Sequence, residues 1–144
     1  MRDFVHLHMH TEYSLLDGAG RLEKIMEKVK EQGMKAIAIT DHGVMYGVVD
    51  FYKQALKYDI KPIIGCEVYV ATRGMEDRNP KYDSDQYHLV LLAKNDIGYK
   101  NLMILVSQGF IKGFYYKPRV DINILKKHSE GLIALSGCLA GAVQ

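Results

Sequence analysis

Apolar positions along this chain switch between two periods, and the switches divide it into alternating strands and helices. Phe4 to Met9 predicts a short strand. Between Arg21 and Gln32 the apolar residues Leu22, Ile25, Met26 and Val29 recur at helical spacing, and Gly33 supplies a stop. Ala36–Thr40 is apolar without alternation, the pattern of a strand buried on both faces. Val48, Phe51, Tyr52, Ala55 and Leu56 form a second helical stripe. Lys61-Pro62 opens a third segment, Ile63 to Ala71, and a polar loop follows from Thr72 to Gln86. Tyr87–Lys94 predicts a fourth strand, after which Asn95 or Asp96 can cap a helix reaching about Ile111. A basic loop from Tyr115 to Arg119 leads to a short helix near 122–128 and a fifth strand at Leu132–Leu135.

Five βα-like units in a row predict an α/β fold, a parallel sheet with outer helices. The choice lies between a doubly wound sheet and part of a β/α barrel. Candidate functional groups gather where a barrel keeps them, at the strands' C-terminal ends, which favours the barrel. A whole barrel takes ~200 residues or more. With 144 residues the expectation is a partial, distorted TIM-like barrel, a single domain truncated before closure.

The ends of those strands are chemically unusual. His8 and His10 are two apart, so one strand can aim both imidazoles the same way, and Asp17 follows in the next loop. Asp41-His42-Gly43 ends the second strand, Glu67 lies in the third, His88 opens the fourth, and Cys138 follows the fifth. One such residue alone would be unremarkable, since a lone strand histidine is usually hydrogen-bonded core and a buried free cysteine a small apolar group. Five strands each contributing one point instead to a shared metal site. Mixed His and carboxylate donors suit Zn, Mn or Fe in a catalytic site, and a Cys138 thiolate would bias it toward zinc.

Composition narrows the setting without changing that picture. The chain is 48% apolar and 25% charged with a net charge of +2, ordinary for a globular domain and too mild to demand a polyanionic partner. Cys66 and Cys138 form no motif together, and the N-terminus lacks an apolar signal core, so a reducing cytoplasm is the expected location. The longest apolar run, Leu89–Ala93, is too short for a membrane.

His8-Met9-His10-Thr11, Thr40-Asp41-His42-Gly43, Gly65-Cys66-Glu67 and Tyr87-His88-Leu89 resemble the successive motifs of the PHP (polymerase and histidinol phosphatase) superfamily. Tyr13-Ser14-Leu15-Leu16-Asp17-Gly18, Leu91-Leu92-Ala93-Lys94-Asn95 and Ser136-Gly137-Cys138-Leu139-Ala140-Gly141 resemble one branch of it, the N-terminal PHP domains of bacterial DNA polymerase III alpha subunits. The resemblance runs from about Phe4 to the last residue. It implies a distorted β/α barrel holding up to three divalent metal ions, with His8, His10, Asp17, His42, Glu67, His88 and Cys138 as ligands. Family members add an Asp-x-His pair from a later strand, and this chain has none. The resemblance therefore implies the front portion of a domain, with the rest of the alpha subunit as its covalent partner.

The chemistry so implied is phosphoester hydrolysis by paired cations about 3.5–4 Å apart, with Glu67 bridging them. Asp41 is expected either to orient a ligand imidazole or to cap the following helix. His6 is expected in the core or behind the ligands, Cys66 in packing, and His128 in solvent. Lys117, Arg119 and Arg73 are candidates for holding a nucleic-acid phosphate, with a solvated loop charge the plain alternative for Arg73. Three functions follow. The first is a polymerase-associated phosphoesterase acting on DNA, as a 3′–5′ proofreading exonuclease or a pyrophosphatase. The second is a scaffold docking a separate exonuclease subunit. The third is a free-standing phosphatase for a small phosphomonoester.

Overall fold

The computed structural model describes residues 4–15, 17–137, 139 and 141. Helix α1 (Leu22–Glu31), strand β1 (Ala36–Ile39) and helix α2 (Val48–Lys57) come first, followed by the long strand β2 (Lys61–Ala71). Strand β3 (Gln86–Ala93) precedes α3 (Asp96–Ile111). A hairpin of β4 (Phe114–Tyr115) and β5 (Lys117–Val120), helix α4 (Ile122–Lys127) and strand β6 (Leu132–Leu135) complete the order. The Asn95 side chain caps α3 by accepting from Gly98 N, and Asp121 caps α4 in the same way.

The sheet runs β4-β5-β2-β3-β6, with β1 also on β2. β2 pairs in parallel with β1 through its first residues and with β5 near its end. It is thus an unclosed α/β sheet, as the partial barrel requires. The pairing is mixed, however, where five βα units had predicted a parallel sheet: β3 is antiparallel to both β2 and β6. No helix separates β2 from β3, and only a crossover element can return a chain for parallel pairing, whereas a loop suffices for a reversal.

Two more expectations fail for local reasons. Residues 4–9 are not a regular strand, although they run beside β1. Ala38 N donates to His6 O and Thr40 N to Met9 O, so three steps on one side oppose two on the other. That extra residue breaks the ladder as a bulge does. The basic stretch at 115–119 is not a loop but most of the β4–β5 hairpin, turned at Tyr116.

Side chains alternate along β2. Cys66, Val68 and Val70 join Leu102 and Leu105 of α3 in one core, while Ile37, Ile39, Met26 and Phe51 centre a second beneath α1 and α2. Glu67 and Tyr69 project from the other face of β2. Gly65 lets β3 come close, since a Cβ there would stand 2.5 Å from Leu91 O. Gly43, at φ +64°, allows the turn after β1 to sit on the sheet: a Cβ would meet Pro118 and Tyr69 at 2.9 Å. Its N–H donates to Glu67 O, and Glu67 N donates to Asp41 O, tying that turn to the middle of β2.

Candidate metal centre

Glu67 is 1% exposed and lies at the centre of a ring of imidazoles. Its Oε2 is 2.6 Å from His8 Nε2, 3.1 Å from His10 Nε2 and 3.6 Å from His42 Nδ1, while Oε1 is 2.7 Å from His88 Nδ1. Asp17 Oδ2 is 2.7 Å from His42 Nε2 on the outer side. The His10 and His42 rings stack at 4.0 Å. Six of the seven predicted ligands thus converge from the N-terminal segment, its following loop, the β1 turn, β2 and β3. Cys138 lies outside the described residues.

The electrostatics follow from this crowding. Burial alone would push the Glu67 carboxyl up, but hydrogen bonds from His10 and His8 and the charge of His42 outweigh it and hold it at about 2. The hydrogen bond to Glu67 raises His10 against the opposing effect of burial. Burial and the neighbouring charge of His10 lower His42, against the pull of Glu67.

The donors suit divalent cations. His8, His10 and Glu67 form one compact triplet, His10, Asp17 and His42 a second, and His42, Glu67 and His88 a third, each with donor atoms within 4.8 Å of one another. His42 Nδ1 is buried, faces Glu67 and has no hydrogen-bond partner among the described residues. A carboxylate oxygen cannot satisfy three imidazole nitrogens well, whereas a cation among them would use the nitrogen lone pairs.

Asp41 shows how the ligands are oriented. It is buried and accepts from Thr11 N (2.6 Å), Thr11 Oγ1 (2.7 Å) and Ser14 Oγ (2.8 Å). With its proton given to Asp41, Ser14 Oγ can accept from His10 Nδ1 at 3.4 Å and from His42 N at 3.1 Å. That arrangement holds His10 Nδ1 at Ser14 and turns Nε2 to the cluster. Asp41 does not cap α2, whose first turn carries no side-chain cap. Ser14 and Tyr69 were not singled out from the sequence. Tyr69 lies two residues beyond Glu67 on the same face, a position that alternation could have flagged. Its ring stacks on His42 (6.0 Å) and meets His88 edge-on (5.2 Å).

The phosphate candidates separate. Lys117 is exposed, with Nζ 5.5 Å above the Tyr69 ring, at the edge of the cluster. Arg119 must be corrected: it is fully buried and donates to the carbonyls of Gly113, Asp83, Met75 and Asp77, so it cannot face a phosphate. Arg73 is half-exposed but engaged by both oxygens of Asp83, at 2.8 and 2.6 Å. His6 is exposed, edge-on to Phe4, not in the core. Cys66 is fully buried and its Sγ donates to Asp41 O. His128 is partly buried beside Asn101, at 3.2 Å, not free in solvent.

An unclosed α/β sheet with a polyhistidine–carboxylate cluster at its rim defines a class: the chain belongs to the PHP domain family, whose sequence profile matches residues 6–144. Among curated proteins it is 52% identical over 139 residues to DNA polymerase III subunit alpha of Treponema pallidum, covering 96% of this chain and 12% of that one. It is 50% identical over 140 residues to the same subunit of Helicobacter pylori, covering 97% and 11%. The chain therefore spans about an eighth of the length of these relatives. Two solved structures share the fold. One is an amidohydrolase from Chromobacterium violaceum with bound sulfate and no metal (TM-score 0.53, 21% identity, 72% of this chain and 32% of that one). The other is a candidate metal-dependent phosphoesterase from Bifidobacterium adolescentis (TM-score 0.54, 15% identity, 76% and 34%). Among the described residues no helix is long and apolar enough to cross a membrane.

Proposed function

We propose that this chain is the PHP region of a bacterial DNA polymerase III alpha subunit, and that its His/Glu cluster holds divalent cations, Zn, Mn or Fe, for phosphoester hydrolysis at a DNA 3′ end. The observation that carries this reading is the convergence of His8, His10, His42 and His88 on one buried carboxylate. Bound cations supply an activated water and neutralise the leaving oxygen. Glu67 offers an oxygen to either side of the cluster, and Asp17 adds negative charge at its mouth. Lys117, at the edge, can meet a phosphate arriving from solvent. Polymerisation, on this reading, belongs to other parts of the subunit, and the cell compartment is the cytoplasm where replication proceeds.

The test uses the full-length polypeptide. Elemental analysis should find divalent metal, and Glu67→Gln and His10→Ala should each lower it at least tenfold. Release of a mismatched 3′ nucleotide should require Zn or Mn and vanish in Glu67→Gln. Unchanged metal in both variants would sink the site. Metal retained with no nucleotide or pyrophosphate hydrolysis would favour the scaffold reading, in which the region docks a separate exonuclease subunit.

A further inference from the structure

Beyond the imidazole cluster, the rim carries a second feature that neither the fold nor the metal ligands use. Tyr46 is 63% exposed, Phe114 49% and Tyr116 68%, with Phe110 partly exposed between them. The loop after His42, the end of α3 and the β4–β5 hairpin supply these rings. Tyr46 lies 6.3 Å from Phe110, and Phe110 lies 6.2 Å from Phe114 with the planes 27° apart. Lys112 and Lys117 are exposed on the same segment. Through Lys117 the patch is continuous with the cluster, because that ammonium lies over Tyr69, which stacks on His42.

The hairpin tip adds an independent clue. Tyr116 has φ +58°, a conformation that glycine or asparagine adopts far more readily than an aromatic residue. A tight turn therefore carries strain while its ring packs on Tyr115 at 4.5 Å and otherwise points into water, so core packing does not explain the residue.

We propose that Tyr46, Phe110, Phe114 and Tyr116, with Lys112 and Lys117, form a stacking platform for the unpaired end of a single-stranded nucleic acid. Every base has a flat face that stacks on an exposed ring, and lysines between the rings neutralise the phosphates that join the bases. Duplex ends offer no such faces along the strand. The platform gives the proposed phosphoesterase its substrate class, a single-stranded phosphodiester end, and in that sense rests on the hydrolytic reading. Its binding is separable from hydrolysis.

The test is photocrosslinking of the full-length polypeptide to a single-stranded oligonucleotide with 5-iododeoxyuridine at its 3′ end, followed by peptide mapping. Crosslinks should fall on residues 44–46 or 110–117. Tyr46→Ala and Tyr116→Ala should each weaken them about tenfold, the effect of one lost base–aromatic stack, while Tyr46→Phe and Tyr116→Phe should restore them. Both tyrosines are exposed, so folding is spared. Crosslinks confined to other regions, or unaffected by the alanine variants, would overturn the platform. So would protection of the four rings from hydroxyl-radical footprinting without nucleic acid, which would mean that another protein segment covers them. Crosslinking at the platform without nucleotide release would sustain it while removing the hydrolytic reading.

Discussion

Glu67 and Arg119 are buried charges on neighbouring paired strands, and they are satisfied in opposite ways. Arg119 gives its protons to backbone carbonyls, which cannot titrate, rotate away or leave. Glu67 is surrounded by imidazoles, whose ring nitrogens can serve as donors or as ligands, and one of them keeps a buried nitrogen without a hydrogen-bond partner among the described residues. The first arrangement fixes a fold, fastening the 72–85 loop and Gly113 to β5. The second stores unsatisfied donor capacity in a rigid frame, which is what a ligand-binding centre needs. Burial of a charge therefore does not separate structure from function. The nature of its partners does.

Arg119→Ala would break this contrast most visibly. It removes the side-chain donor from four carbonyls, of which only Gly113 O keeps a backbone donor among the described residues, and opens a cavity, and should cost on the order of 3–5 kcal/mol in urea unfolding. A loss below about 1 kcal/mol would show that the guanidinium is dispensable. Next comes Asp41→Asn, which should disturb the Ser14–His10 relay and lower zinc affinity about 10- to 100-fold by calorimetric titration, with every ligand still present. Equal affinity would mean that the relay does not orient His10. The smallest effect concerns pH. The hydrogen bonds from Arg73 outweigh burial and hold the Asp83 carboxyl at about 2, below its ordinary 3.8. A depressed carboxyl stabilises the fold fully above the ordinary value, and that contribution is lost as pH falls from about 4 toward 2. Asp83→Asn should therefore flatten acid unfolding in that window, and identical acid curves for the two proteins would count against the pairing.

Much of this architecture was legible because strong periodicity and simple caps dictated it. α1, α2 and α3 follow their apolar stripes, and Asn95 caps as its side chain allows. The chemistry was legible because donors cluster at strand termini, so His8, His10, Asp17, His42, Glu67 and His88 are found together once the sheet is built. The β4–β5 hairpin was not, since Lys117-Pro118-Arg119 has the composition of a loop and only pairing with β4 and β2 makes it a strand. Arg119 was misassigned for the same reason: nothing in a sequence tells an arginine facing water from one facing carbonyls. Antiparallel β3 was hidden by counting units, although the helix-free stretch before it held the clue. Ser14 and Tyr69 act through neighbours that only folding supplies.

Gly65 has a consequence for how a working centre comes to exist. β3 runs against β2, so a slide of a single position would turn His88 to the opposite side of the sheet while leaving backbone pairing possible. In the native register the tight spot near Leu91 O falls on Gly65, the one β2 residue with no Cβ to put there. One missing methyl group thus lets β3 seat against β2 in the register that puts His88 beside Glu67, and the cation-binding geometry inherits its accuracy from that seating.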